Sequence, residues 1–260
     1  MRPWSRVPAA AAAGLIGALI SATVVTAAEI KVLCTTALFT ALEELGPRFE
    51  RASGHKLVMS FANAVSMTKR IAEGEAADVT IIAGAGVDDL IKQGKVMPGS
   101  RVDIARSEIG VAVRAGAPKP DISSPEAFKH ALLAAKSIAA SSPTGGGASG
   151  THVAAMLVGL GIADAVRPKI KYAAGGPGGL VGSLVAKGEA EIGLQQIAEL
   201  LAAPGVELVG PLPGALQSAT QFSAGIPTNA KEAEAGKALV RFLTTPEAAT
   251  VIKAKGLKPS

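Results

Sequence analysis

The sequence contains little cysteine, few aromatic side chains and no cluster of basic charge. Cys34 is the only cysteine among the 260 residues, which excludes an intrachain disulfide. Aromatic residues make up 3% of the chain, and its lysines and arginines are scattered. Because nucleic-acid binding requires a clustered basic face with aromatic stacking platforms, we expect no nucleic-acid partner.

The N-terminal residues have the pattern of a secretory signal peptide. Arg2 and Arg6 precede an apolar run over residues 9–25, and small residues follow before Glu29. The run is short for a bilayer span of about 20 residues, so a retained membrane anchor is the less favoured interpretation. We predict a signal peptide over residues 1–28, whose cleavage leaves a secreted protein.

Short runs rich in β-branched residues alternate with helical patterns, which predicts parallel strands joined by helices. Seven strands are predicted, at Ile30–Leu33, Leu57–Phe61, Val79–Ala83, Ser137–Ala139, Ile170–Tyr172, Ile192–Leu194 and Val206–Val209. Apolar spacing predicts a helix over Ala37–Arg51, and Ser124 followed by Pro125 predicts the start of another. Two terminal helices are expected at about 232–243 and 246–255.

A short segment, Ile71–Ala76, is echoed by Val185–Ala190. Both copies end an apolar-periodic helix and precede a predicted strand. The glycine of each copy lies 39 residues after a small hydroxyl-rich turn, at Thr35 or at Ser149. Chance is the competing explanation in so alanine-rich a chain, but the repeated arrangement predicts two similar lobes with a ligand cleft between them.

Two extended segments, Ile109–Arg114 and Gln221–Ile226, fit neither lobe's alternation of strands and helices. We interpret them as the crossings that carry the chain out of one lobe and back again. We therefore expect residues 29–110 and 224–260 to form lobe one, with the terminal helices packed on it. Residues 111–223 are expected to form lobe two.

Several segments resemble the bacterial type 2 periplasmic solute-binding proteins, and among these the molybdate-binding family. The similar segments are residues 32–38, 61–67, 70–79 and 187–193. The resemblance implies an α/β fold of two lobes, each a mainly parallel sheet flanked by helices, with two crossing strands. It also implies a monomer in the periplasm that delivers a small anionic ligand to an inner-membrane ABC permease. We expect neither a metal nor a cofactor.

Proteins of this family hold an oxyanion without lysine or arginine, through backbone N–H groups at helix N-termini and a few hydroxyls. Such N–H groups are unpaired within the helix and carry partial positive charge. The ligand-binding candidates in the corresponding loops of this chain are Thr35, Thr36, Asn63, Ser66, Ser149, Gly150, Thr151 and Gln196. For each residue taken alone, a helix cap is the competing interpretation.

The candidate loops depart from the molybdate pattern at three positions. Ala37 and Ala64 stand where the family uses serine, and Gln196 stands where it commonly places tyrosine. Since each charge-assisted hydrogen bond contributes about 1.5–3 kcal/mol, this departure argues against molybdate itself. Glycine-rich stretches over residues 141–150 and 175–179 would let backbone N–H groups approach a carboxylate or phosphate, although loose turns have the same composition.

Residues 188–196 also resemble aconitate isomerase, an enzyme on the same fold. We predict a solute-binding protein of an ABC importer that captures a molybdate-like oxyanion or a small carboxylate. The alternative is an enzyme that interconverts trans- and cis-aconitate, and a sensor subunit is a third interpretation. For the enzyme, His152 and Cys34 are the first acid–base candidates, each with a packing role as the competing interpretation. Tyr172 and Glu199 are weaker candidates.

Overall fold

The computed structural model describes residues 27–145 and 147–260, so residues 1–26 of the predicted signal peptide lie outside the described residues. The strands are β1 (Glu29–Thr35), β2 (Lys56–Ala62), β3 (Val79–Ala83), β4 (Val102–Arg114), β5 (Ile138–Ser141), β6 (Ile170–Ala173), β7 (Ile192–Gln196), β8 (Val206–Pro211), β9 (Ala219–Gly225) and β10 (Lys258–Pro259). The α-helices are α1 (Phe39–Ser53), α2 (Ala64–Ala72), α3 (Gly84–Lys92), α4 (Pro125–Ala134), α5 (Gly147–Gly159), α6 (Ala163–Val166), α7 (Val181–Ala186), α8 (Ile197–Leu201), α9 (Ala233–Leu243) and α10 (Pro246–Ala254). Short 3-10 helices lie at Thr36–Leu38, Arg167–Lys169 and Gly214–Leu216.

Two triplets of parallel strands have the same order. Strand β1 lies between β2 and β3, and β5 lies between β6 and β7. The third strand of each triplet then pairs with an antiparallel strand, β3 with β9 and β7 with β4. The seven strands predicted from the sequence are all present, and their ends differ from the predicted ends by at most two residues. The chain therefore forms two similar halves, each built on one triplet.

The two sheets share strand β4. Its first part, Val102–Glu108, pairs with β9, whereas Ile109–Arg114 pairs with β7 and β8. At the point of change the side-chain amide of Gln217 adds two bonds to the backbone of Ile109, whose carbonyl also accepts from the N–H of Leu212 at 3.0 Å. The Oε1 of Gln217 accepts from the N–H of Ile109 at 3.0 Å and its Nε2 donates to the Ile109 carbonyl at 2.9 Å. The predicted crossing at Ile109–Arg114 is thus the second part of a longer strand. The predicted return crossing, Gln221–Ile226, lies largely within β9 in the first sheet, so the chain returns to the first half between β8 and β9.

Helix α1 buries the face that the sequence pattern predicts. Its apolar residues, three or four positions apart, are at most 3% exposed: Ala41, Leu42, Leu45 and Phe49. Burial of each of the larger side chains contributes roughly 1.5–3 kcal/mol. The terminal helices α9 and α10 pack against the same core as β1 and β3, as their predicted position in lobe one implies. No helix of the described residues is long and apolar enough to cross a bilayer.

The echoed segments form equivalent helix ends. In each, a glycine with positive φ follows the last helical residues, 92° at Gly74 and 74° at Gly188. The N–H of Gly74 donates to the carbonyl of Ile71, and the N–H of Gly188 donates to the carbonyl of Val185. Glycine is required because side chains rarely adopt this left-handed conformation. Both turns lead into the third strand of their triplet, β3 or β7.

Asp78, just before β3, links three parts of the first half. It is 4% exposed, and its Oδ2 accepts from the N–H of Lys31 at 2.8 Å. Its Oδ1 accepts from the N–H groups of Lys231 and Glu232, both at 2.8 Å. The sequence indicates only that Asp78 follows a helix end. In the fold it joins β1 to the segment that begins α9.

We expect Asp78→Ala to lower the free energy of unfolding by about 3 kcal/mol, because three backbone donors lose a charged acceptor in a buried place. Urea unfolding followed by circular dichroism measures the change. Asp164→Ala is the matched control, since this aspartate side chain is 91% exposed. Equal stability of the two variants would contradict the assigned role of Asp78.

Candidate ligand site

Three adjoining cavities form one cleft between the two halves. The first, of about 160 Å³, is lined by Thr36, Asn63, Ser141, Ser142, Gly145, Ala173, Ala174, Gly175, Gly176, Gln195 and Glu199. The second, of about 20 Å³, is lined by Thr35, Ala37, Asn63, Ala64, Gly147, Ala148, Ser149, Gln196, Glu199 and Phe222. A wider groove of about 510 Å³ is lined by Ala64, Val65, Thr68, Ala83, Gly86, Gly147, Ala148, Thr151, His152 and Ala155. Asn63 and Glu199 line the first two cavities, and Ala64 and Gly147 line the second and the groove.

Helices α2 and α5 start on opposite sides of the cleft and face each other at their N-termini. A Cβ atom placed on Gly147 would lie 3.6 Å from Asn63 Cβ and 3.7 Å from Ala64 N. The first turn of a helix leaves backbone N–H donors unpaired and carries partial positive charge. Two such turns at this separation favour an anion in the cleft.

Thr35 and Thr36 lie at the end of β1, and both are 4% exposed. Thr35 lines the second cavity and Thr36 lines the first. Within the described part of the chain, the hydroxyl of Thr36 has no hydrogen-bond partner. A buried hydroxyl without a partner is unfavourable by about 1–3 kcal/mol, so this side chain is suited to bonding a ligand.

Asn63 both caps α2 and lines the two smaller cavities. Its Oδ1 accepts from the N–H of Ser66 at 2.9 Å, as expected of a helix cap. Ser66 lies inside α2, and it is not among the residues that line the three cavities. The geometry therefore places Asn63 at the cleft and gives Ser66 a role in the cap.

The second-half candidates lie within α5 and not in the loop before it. Ser149 is 2% exposed and lines the second cavity. Thr151 lines the groove, and its hydroxyl donates to the Gly147 carbonyl at 3.3 Å. Gly150 has a packing role, because a Cβ there would lie 2.3 Å from the carbonyl oxygen of Ser142. Ser149 and Thr151 thus face the cleft, and Gly150 allows the loop after β5 to lie close to the helix.

Gln196 lines a cavity, and its side chain also links strands β4 and β9. It lines the second cavity and is 3% exposed. In the amide orientation that satisfies both ends, its Nε2 donates to the Ser107 carbonyl and its Oε1 accepts from the Thr220 hydroxyl, both at 3.1 Å. Ser107 belongs to β4 and Thr220 to β9. The side chain that replaces the family's tyrosine is therefore bonded at the crossing between the halves.

Glu199 is a carboxyl that lines both smaller cavities. It is partly buried in the first turn of α8. Burial raises the pKa of this carboxyl to about 7, and a hydrogen bond with the Gln195 side chain acts in the opposite direction. Gln195 is itself fixed, because its Oε1 accepts from the N–H of Val181 at 2.9 Å. From the sequence alone, Glu199 is one of the weaker candidates. Its raised pKa comes from burial in the folded chain, which no sequence motif indicates.

Cys34 and His152, the two leading acid–base candidates from the sequence, do not line the two smaller cavities. Cys34 is 0% exposed, its Sγ donates to the Thr35 carbonyl at 3.3 Å, and burial raises the pKa of the thiol far above its usual range. His152 lines the wider groove, and its Nε2 donates to the Leu216 carbonyl at 2.8 Å. Tyr172 is 51% exposed. A thiol without access to solvent does not suit catalysis by a thiolate.

The cleft contains no lysine or arginine among the described residues that line it. The basic pair of α2 is engaged elsewhere, since Arg70 Nε donates to Glu75 at 2.6 Å and Lys69 Nζ lies 3.7 Å from Glu73. In residues 27–145 and 147–260, no group of three or more His, Cys, Asp or Glu is arranged to hold a metal ion. Backbone N–H, hydroxyl and amide groups are the donors available to an anion.

Residues 30–258 match the model of a protein family described as bacterial extracellular solute-binding protein. The chain belongs to this family. Solute-binding proteins of ABC transporters bind small ligands and interact with permeases, which agrees in general terms with the expectation from the sequence.

Two relatives and one solved structure give the comparison more detail. An aconitate isomerase from Pseudomonas sp is 36% identical over 88% of this chain and 87% of its own length. The molybdate-binding protein ModA of Azotobacter vinelandii is 28% identical over 93% of this chain and 94% of its own. The structure of the Azotobacter vinelandii periplasmic molybdate-binding protein has a TM-score of 0.71 at 26% identity, over 88% of this chain and 98% of that one. The predicted two-lobed α/β fold of the type 2 periplasmic binding proteins is confirmed.

We expect Cys34 of the native protein to be inert toward a thiol reagent such as dithionitrobenzoate at pH 8, because the thiol is buried and its pKa is raised. In guanidinium chloride the same protein is expected to react with one equivalent. Absorbance of the released thionitrobenzoate measures the reaction of the native protein and of the unfolded protein. Fast reaction of the folded protein would contradict the buried position of this thiol.

Proposed function

We propose that this protein binds a small tricarboxylate of the aconitate class in the cleft and interconverts its cis and trans isomers in the periplasm. The observation that carries the proposal is the Glu199 carboxyl, which lies at the junction of two cavities and has a pKa of about 7. A group with such a pKa is half ionised near neutral pH and suits both removal and return of a proton. The 36% identity to aconitate isomerase supports the same conclusion.

The cleft offers donors to carboxylate groups from both halves. In the first half these are the Thr36 hydroxyl and the first turn of α2. In the second half they are the first turn of α5 and the backbone N–H of Gly176, a residue that lines the larger of the two smaller cavities. A ligand with several carboxylates can therefore bridge the halves, and closure of the cleft would follow its binding.

Tetrahedral oxyanions such as molybdate and sulfate fit this cleft less well. Molybdate and sulfate have no C–H bond at which a carboxyl such as Glu199 could act as a base or an acid. Ala37 and Ala64 line the second cavity without hydroxyl groups. A ligand of the aconitate class has a methylene and a vinylic carbon between which such a carboxyl can move a proton. The composition of the cleft therefore favours a carboxylate over molybdate.

Capture of the same anion for an ABC importer is the second candidate function. The observation that favours it is the shared strand β4, at which two halves can rotate about a bound ligand. With the lobe boundaries expected from the sequence, 29–110 plus 224–260 and 111–223, closure would present one compact surface to an inner-membrane permease. This function also implies a periplasmic monomer with a cleaved signal peptide.

Ligand binding and turnover test the two candidates together. Protein recovered from a periplasmic extract is expected to be stabilised against heat by cis- and trans-aconitate, and far less by molybdate or sulfate. Incubation with trans-aconitate, followed by proton NMR, is expected to yield cis-aconitate. Stabilisation by molybdate or sulfate alone would contradict the proposal. Stabilisation by aconitate without turnover would leave capture for an importer as the function.

We expect Thr36→Val to weaken aconitate binding by about 10- to 100-fold, because one hydrogen bond to a charged ligand is worth about 1.5–3 kcal/mol. Isothermal titration calorimetry measures the affinity. Thr80→Val is the matched control, since Thr80 is also buried and its hydroxyl also has no partner within the described residues. Thr80 lies in the interior of β3 and not in the cleft. Equal affinities of the two variants would show that the Thr36 hydroxyl does not contact the ligand.

A further inference from the structure

We infer that Glu199 is the single catalytic residue that removes a proton from one end of the bound tricarboxylate and returns it at the other end. The inference rests on the proposed function, because it assigns the proton transfer of that reaction to one side chain.

The position of Glu199 is the first argument. Glu199 lines both smaller cavities, together with Thr35 in one and Thr36 in the other. Helix α8, which carries it, packs against the 3-10 helix that begins at Thr36. A ligand whose carboxylates occupy both cavities therefore has its central carbons beside Glu199.

The orientation of Glu199 is the second argument. Gln195 lies in β7, four residues before Glu199, and the N–H of Val181 fixes the Gln195 amide through its oxygen. The amide nitrogen of Gln195 is left to interact with Glu199, and this interaction acts to lower the pKa of the carboxyl. A neighbour fixed in this way orients the carboxyl, as a group that acts at two carbon atoms requires.

The reaction is balanced with one carboxyl and no further reactant. Ionised Glu199 takes a proton from the methylene carbon of the ligand, and that C–H bond breaks. Its electron pair forms a new double bond to the central carbon, while the electrons of the old double bond move to the former vinylic carbon. That carbon takes the proton back from the Glu199 carboxyl, and a new C–H bond forms. The ligand is neither oxidised nor reduced, and Glu199 returns to its initial state.

Other titratable groups do not face this junction. Among the described residues that line the two smaller cavities, Glu199 is the only titratable side chain. On the strands packed against α8, Glu108 is bonded to Lys258 and Glu207 is paired with Lys119. The remaining charged residues of β4 are likewise absent from the cavity linings: Asp103, Arg106 and Arg114. His152 lines the wider groove and is bonded to Leu216.

The expected pH dependence follows from burial of the carboxyl. Since burial raises the pKa of Glu199 to about 7, the free enzyme holds the ionised base above that pH and loses it below. The ratio kcat/KM is therefore expected to rise about tenfold per pH unit up to about pH 7 and then to level off.

The test compares Glu199→Gln with Glu189→Gln in the full periplasmic protein. Glutamine keeps the shape of Glu199 and its hydrogen bonding but cannot accept a proton, so kcat is expected to fall by about 10²- to 10⁴-fold with KM little changed. Glu189 is exposed beyond α7 and should leave kcat unchanged. In deuterium oxide the wild type is expected to place deuterium in the methylene group of the ligand, whereas Glu199→Gln is expected to bind the ligand without this exchange.

Three results would be decisive. Loss of both turnover and deuterium exchange in Glu199→Gln, with aconitate still bound, supports the inference. Full turnover by Glu199→Gln with the wild-type pH profile overturns it and leaves the isomerase function intact. Binding of aconitate by the wild type without turnover or exchange overturns the isomerase function and this inference together. Circular dichroism of each variant establishes that a loss does not come from unfolding.

Discussion

The approach of two helix N-termini across the cleft is the constraint on which the site depends. Each carries about half a positive charge, and the two ends start close together, since a Cβ placed on Gly147 would lie 3.6 Å from Asn63 Cβ. Two positive ends so close repel each other, and a negative group in the adjoining cavities offsets this repulsion. A bound anion would therefore stabilise the closed arrangement of the halves as well as its own binding. A cleft with no lysine or arginine among its described lining residues could favour anions in this way.

Much of the scaffold is predictable because its signals are local. Alternating strands, the buried face of α1 and the echoed glycine turns each depend on residues within one element or its ends. The roles of Gly150 and Gln196 are not local. Gly150 is required by the loop at Ser142, and Gln196 bonds Ser107 and Thr220, which belong to strands distant in sequence. No pattern in their own neighbourhood indicates these contacts.

The residues of the candidate site also fall into two groups, those that the local sequence predicts and those that depend on contacts distant in sequence. Thr35, Asn63 and Ser149 line the cleft as their positions after strands and at helix starts predict, although their binding roles stay predictions. Glu199 differs, because its titration near neutral pH arises from burial among residues of both halves. The chain shares the scaffold of molybdate-binding proteins while alanines line the cavity next to this carboxyl. The proposed change of ligand on this scaffold would thus require few substitutions, and the packing around them would set the chemistry.

The exchange of partners along β4 determines how the halves can move. Where the strand leaves one sheet for the other, the side-chain amides of Gln217 and Gln196 complete its bonding. Such amides follow a turning backbone by rotating about their own side-chain bonds, whereas a continuous ladder of backbone bonds would have to break. Turning of the halves at this point would therefore meet little elastic resistance, and open and closed forms would differ in free energy mainly through what the cleft contains. Binding strength and the degree of closure would then be one measurable quantity in this molecule.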